Sequence, residues 1–117
     1  MNKINLTLIW LILFASGCIH DPVIPDSPLL TFEENVQAIT LNNCARSGCH
    51  DGNEEDPTLI TYNDVMSQVK PGDPKGSELY KVITKLSGEK AMPPDGPLSD
   101  QQIQTIYIWI LQGAKEK

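Results

Sequence analysis

Between Cys44 and His50 the chain reads Cys-Ala-Arg-Ser-Gly-Cys-His, so two thiols and one imidazole fall within a single short stretch. If all three side chains are to act on one target, the backbone must wind tightly enough to turn both sulfurs and the ring to the same side. The four residues Ala45 to Gly48 must then bulge away between the cysteines. Gly48 is where such a bulge can relax, because glycine reaches backbone angles that other residues avoid. The same cysteine pair also suits a disulfide loop in a small exported domain, and these residues alone leave both readings open.

The third cysteine, Cys18, has a separate explanation at the N-terminus. Lys3 supplies a positive start, Ile4 to Phe14 is mostly apolar, and Ala15-Ser16-Gly17 places small residues before Cys18. This is the pattern of an export signal, and its apolar run is too short to span a bilayer. Small residues ending at a cysteine resemble a bacterial lipobox, with Ala15 where leucine is usual. The expectation is a signal peptide over 1–17, lipidation of Cys18, a tether over 18–30 and a domain over 31–117. Such a protein is exported and held to a bacterial membrane, facing the periplasm or the cell surface. Pro22, Pro25 and Pro28 among Asp and Ser suit an extended tether.

Helical signals dominate the remainder. Thr31-Phe32-Glu33-Glu34 predicts a capping box, and Phe32, Val36 and Ile39 follow on one stripe toward the cysteine motif. His50 to Pro57 is an acidic loop, with Glu54-Glu55-Asp56 reading as a solvated run. Thr61 or Asn63 caps a short helix through Val65, Met66 and Val69, which Pro71-Gly72 ends. Ser77 caps another, carrying Leu79, Val82, Ile83 and Leu86, and Gly88 stops it. Ser99 and Gln102 form a further capping box before Ile103, Ile106, Tyr107, Ile110 and Leu111, with Gly113 at the C-terminal cap. No alternation of period two persists over a strand's length. The predicted class is all-α, with about four helices.

Composition narrows the function classes. Removing Lys3 with the signal leaves 8 basic against 15 acidic residues, a formal charge of 8 − 15 = −7, which disfavours nucleic acid as a partner. A mature chain of about a hundred residues buries only around two-thirds of its unfolded surface. The whole sequence holds just two Phe, three Tyr and two Trp, so an additional source of core is expected. A haem supplies one, and Cys-x-x-Cys-His is the usual signature for its covalent attachment. Here the two thiols would reach its vinyl groups and His50 would bind the iron. Ala91-Met92-Pro93-Pro94 offers the second axial ligand, since the two prolines restrict the backbone around the Met92 thioether. His and Met together fill the iron's axial positions and leave electron transfer as the expected activity.

Taken together, Cys44 to His50, Gly72-Asp73-Pro74, Ser77-Glu78-Leu79-Tyr80, Met92-Pro93-Pro94 and Leu98-Ser99 through Trp109-Ile110 resemble a single-domain c-type cytochrome, from Thr31 onward. The likeness extends to the planctomycete-type bacterial branch, whose cysteine motif is likewise extended and whose last helix ends near Gly-Ala, here Gly113-Ala114. It implies a cytochrome c-like fold, one covalent haem c anchored by Cys44 and Cys49, His50 and Met92 as axial ligands, and redox proteins as partners. The four-residue spacing is the departure from the common motif.

Other readings of the same residues are an iron left five-coordinate in a peroxidase-like or gas-binding protein, and a haem-free lipoprotein closed by a disulfide. Zinc lacks ligands, because His20 in the tether is the only other histidine. Arg46 is expected to project outward or toward a propionate. Lys90 is an alternative iron ligand at high pH. Met66 and Tyr80 are expected in the core. Tyr107 and Trp109 are expected to pack the last helix, one of them near the haem edge. The acidic surface suits docking to a basic patch.

Overall fold

Short polar caps start three of the helical segments, and a glycine ends the last. The computed structural model describes Pro25 and residues 28–53, 55–85 and 91–117. The expected signal peptide, Cys18, His20, most of the expected tether, Glu54, Leu86, Gly88 and Lys90 lie outside the described residues. A π-helical turn, Phe32–Val36, runs directly into α1 (Gln37–Asn43), followed by α2 (Tyr62–Met66), α3 (Glu78–Ile83) and α4 (Asp100–Leu111). Among the described residues there is no strand, so the fold is all-α and cytochrome c-like. No described helix is long and apolar enough to cross a membrane.

The first helical segment departs from the expected capping box in one respect. Thr31 Oγ1 accepts from the Glu34 amide at 3.3 Å, as its position requires, but the Thr31 amide donates to Asn35 Oδ1 at 2.9 Å rather than to Glu34. A π turn holds more residues than an α turn, which brings the residue four along, not three, over the cap. The same widening shifts the buried stripe. Phe32, Val36 and Thr40 face the core, whereas Ile39 is only half-buried. Thr40 is fully buried, and its hydroxyl donates to the Gln37 carbonyl at 3.0 Å.

At α2 the cap is Thr61. Its hydroxyl accepts from the Asp64 amide at 3.2 Å, and Asp64 Oδ2 accepts from the Thr61 amide at 2.8 Å. Ser77 occupies the N-cap position of α3 without capping it. Its buried hydroxyl accepts from the Lys70 amide at 2.8 Å and donates to the Asp73 carbonyl at 2.8 Å, tying the preceding turn together. Ser99 and Gln102 form the predicted box at α4.

α4 ends in a Schellman motif. The Ala114 amide donates to Trp109 O at 2.8 Å and the Gly113 amide to Ile110 O at 3.0 Å, with Gly113 at φ +101°. The carbonyls that follow then serve the first helical segment: Phe32 N donates to Lys115 O at 2.8 Å and Glu33 N to Glu116 O at 3.1 Å. Two donors left orphaned at a helix start are thereby satisfied by the chain's other end. Trp109 lies beneath this junction, fully buried, tilted against Phe32 at 6.1 Å and donating through Nε1 to Lys115 O at 2.9 Å. Tyr62 meets Phe32 edge-on at 5.7 Å and donates to Ala114 O at 2.9 Å. Gln112 reaches the residues before the domain, donating to Pro25 O at 2.7 Å and Pro28 O at 3.0 Å and accepting from Leu30 N at 2.8 Å.

Candidate haem site

The cysteine motif begins where α1 runs out. The Cys44 and Ala45 amides both donate to Thr40 O, at 2.8 and 2.9 Å, so the buried threonine fixes where the helix ends and the motif starts. The inserted residues are not a loose loop. Cys49 N donates to Arg46 O at 2.9 Å, closing a β-turn with Gly48 at its third position and φ +74°, a left-handed angle of the kind that a type II turn requires. His50 N then donates to Cys44 O at 3.2 Å and draws the ends of the motif together. The bulge is therefore a hydrogen-bonded turn, and it returns the backbone to the place where His50 begins. Asp51 braces it, with Oδ2 accepting from Gly48 N at 3.2 Å and Oδ1 from Asn53 N at 3.1 Å. Hydrogen bonds from Asn53 first, then from Gly48, hold the Asp51 carboxyl below its ordinary pKa.

On the other side, Met92 follows α3 and hangs from it, its amide donating to Val82 O at 3.0 Å. A turn closed from Gly96 N to Pro93 O at 3.3 Å comes next. Between these two loops is a cavity of about 430 Å³, within the range of cofactor pockets. Cys44, Cys49, His50 and Met92 all line it, with apolar wall from Leu59, Leu79 and Val82. The structure thus brings together every site residue expected in this part of the chain. Cys18 lies outside the described residues.

The ring of His50 is oriented by a residue that the sequence reading treated only as the end of a loop. His50 Nδ1 lies 2.7 Å from Pro57 O, and since a carbonyl can only accept, the proton resides on Nδ1. That fixes the tautomer and leaves Nε2 with a free lone pair, the state in which histidine binds a metal. A proline a few residues after the motif histidine offers a carbonyl at short loop distance, which was the available signal.

Cys44 and Cys49 are both free thiols in this structure. Cys44 is buried, and desolvation first, then the neighbouring Cys49, pushes its pKa up to about 11. Among the described residues no group of three or more His, Cys, Asp or Glu side chains is arranged to hold a bare metal ion. Arg46 keeps 56% of its side-chain surface exposed, in keeping with an outward course, and pairs with Asp95 at 3.2 Å. Tyr80 and Tyr107 are half-buried against each other at 5.3 Å, away from the cavity lining, and Trp109 belongs to the terminal junction.

Two thiols, a tautomer-locked imidazole, a thioether and apolar walls are the donor set and surroundings that a covalently bound haem requires. The family model for cytochrome c oxidase, cbb3-type, subunit III matches residues 33–110, most of the described domain. The chain belongs to this family. Its domain is a c-type cytochrome domain, of a family that binds haem and carries electrons. Comparison with curated proteins and with solved structures gave no match.

Proposed function

We propose that this chain is an exported monohaem cytochrome c that passes single electrons between redox proteins. Thioether bonds from Cys44 and Cys49 anchor the haem, His50 Nε2 is the proximal ligand and Met92 Sδ the distal one. The observation that carries this reading is that the two thiols, the imidazole and the thioether border one cavity. When bound, the haem supplies an iron that accepts and releases one electron without atom transfer.

The chain's residues divide the remaining work. The Pro57 carbonyl holds His50 in the ligating tautomer. The Thr40 carbonyl and the Gly48 turn set the spacing of the thiols, and Leu59, Leu79 and Val82 exclude water from the haem face. Met92 closes the sixth position, which favours electron carriage over binding of peroxide or gas. Lipidation of Cys18 would tether the domain to a membrane, facing the periplasm or the cell surface, with the proline-bearing segment as spacer. The excess of acidic residues favours a partner with a basic docking patch.

Denaturing electrophoresis with haem staining tests attachment: the exported protein should stain, and the Cys44→Ser/Cys49→Ser double variant should not. Met92→Ala should abolish the weak red-region absorption band of methionine-ligated ferric haem. A stained protein whose spectrum is unchanged by Met92→Ala would retain the anchors and lose the proposed sixth ligand.

A further inference from the structure

Two β-turns face each other across the cavity, and each adjoins one of the proposed iron ligands. The first, Arg46 to Cys49, exists only because four residues rather than two separate the cysteines, and it leads straight into His50. The second, Pro93 to Gly96, directly follows Met92. Arg46 opens the first turn and Asp95 sits at the third position of the second. Their side chains meet at 3.2 Å, Arg46 Nη1 donating to Asp95 Oδ2, although the residues are 49 apart in sequence. Both line the cavity. Among the described residues the Met92 loop is also tied by its backbone bond to Val82 and by the buried Leu98 at its far end.

We propose that Arg46 and Asp95 form a clasp that holds the Met92 turn against the cysteine turn, so that the extended motif contributes a positioning residue for the distal ligand. The proposal rests on the reading of Met92 as that ligand. It gives the inserted residues a task that a two-residue spacing could not perform, since the turn carrying Arg46 would be absent. The pair is solvent-exposed, with 56% and 75% of the side-chain surfaces accessible, so its effect is modest and sensitive to salt.

The test is competition by imidazole for the sixth position of the ferric protein, followed through loss of the methionine band. Arg46→Gln and Asp95→Asn should each make displacement easier by about two- to five-fold, the scale of an exposed ion pair. The double variant should go no further than either single one, because the two substitutions break the same contact. Exchanging the charges, Arg46→Asp with Asp95→Arg, should recover part of the loss. In about 1 M salt, where screening acts within roughly 3 Å, the unmodified protein should approach the variants. Thermal midpoints should stay nearly unchanged, which separates positioning from general stabilisation.

Effects that simply add, or an effect of Arg46→Gln with none of Asp95→Asn, would overturn the clasp and point to Arg46 acting on a haem propionate. If the unmodified protein lacks the methionine band, the ligand reading itself fails and the clasp fails with it. If the band is present and imidazole binds all forms equally, the clasp alone is wrong.

Discussion

The two ends of this small domain are built differently. Where the first helical segment meets the C-terminal residues, Phe32, Trp109, Ile110 and Ala114 are buried, and the carbonyls of Ala114, Lys115 and Glu116 are each used by a distant donor. At the cavity, the ligand-bearing turns are held by their own internal hydrogen bonds, by bonds to Thr40 of α1 and Val82 of α3, by the contacts of His50 with Pro57 and Leu59, and by an exposed ion pair. The terminal junction is packed without a cavity of its own among the residues named. The cavity end is a frame around a space. The contrast teaches that one end is closed by backbone pairings between segments distant in sequence, whereas at the cavity end local turns are set on the same core, which there includes Cys44, Leu59 and Leu79.

The sharpest way to break that comparison is Trp109→Ala. Removing a fully buried indole should cost about 3–5 kcal/mol, read as a lower denaturation midpoint of the haem-loaded protein. A loss below about 1 kcal/mol would mean that the terminal junction is not the main core.

Glycine substitutions sharpen the comparison at an intermediate scale. Gly113 and Gly48 both have positive φ, at +101° and +74°, and an added Cβ would meet no atom at either, so only backbone strain is tested. Gly113→Ala and Gly48→Ala should each cost about 1–2 kcal/mol locally. For Gly113→Ala the cost should appear in global unfolding. For Gly48→Ala it should appear in the haem spectrum and in attachment yield, with a smaller change in the unfolding midpoint. Equal effects on global unfolding would show the two ends to be one cooperative unit.

The smallest effect concerns pH. Hydrogen bonding from Thr61 holds the Asp64 carboxyl below its ordinary pKa, so at low pH the unfolded chain binds more protons at this site than the folded one. Its contribution is present above the unfolded value of about 4 and is lost as the pH falls through the lower folded value. Asp64→Asn should make the decline in stability between neutral and strongly acid pH slightly shallower. Superimposable pH profiles for the two proteins would show that the α2 cap does not depend on its charge.

Much of this was legible before any coordinates. Local chemistry determined it: a Ser99/Gln102 box starts α4, Gly113 ends it, and the Cys44 to His50 motif with a later Met92 defines a donor set. Met92 apart, each depends on residues a few positions apart, where side-chain reach and backbone angles decide the outcome. Asn35 taking the role expected of Glu34 goes with the π turn, which the capping pattern did not announce, and Thr40 is more deeply buried than Ile39, which packs at the edge of the core.

What only the tertiary structure decided are the long-range pairings. Nothing near Phe32 indicates that its amide is satisfied by Lys115, and nothing in Arg46 names Asp95. A sequence states which donors and acceptors exist, and periodicity states which faces must be covered. Which partner satisfies each depends on how the helices stack, because hydrogen bonds and ion pairs form only within a few ångströms and that proximity is a property of the whole fold.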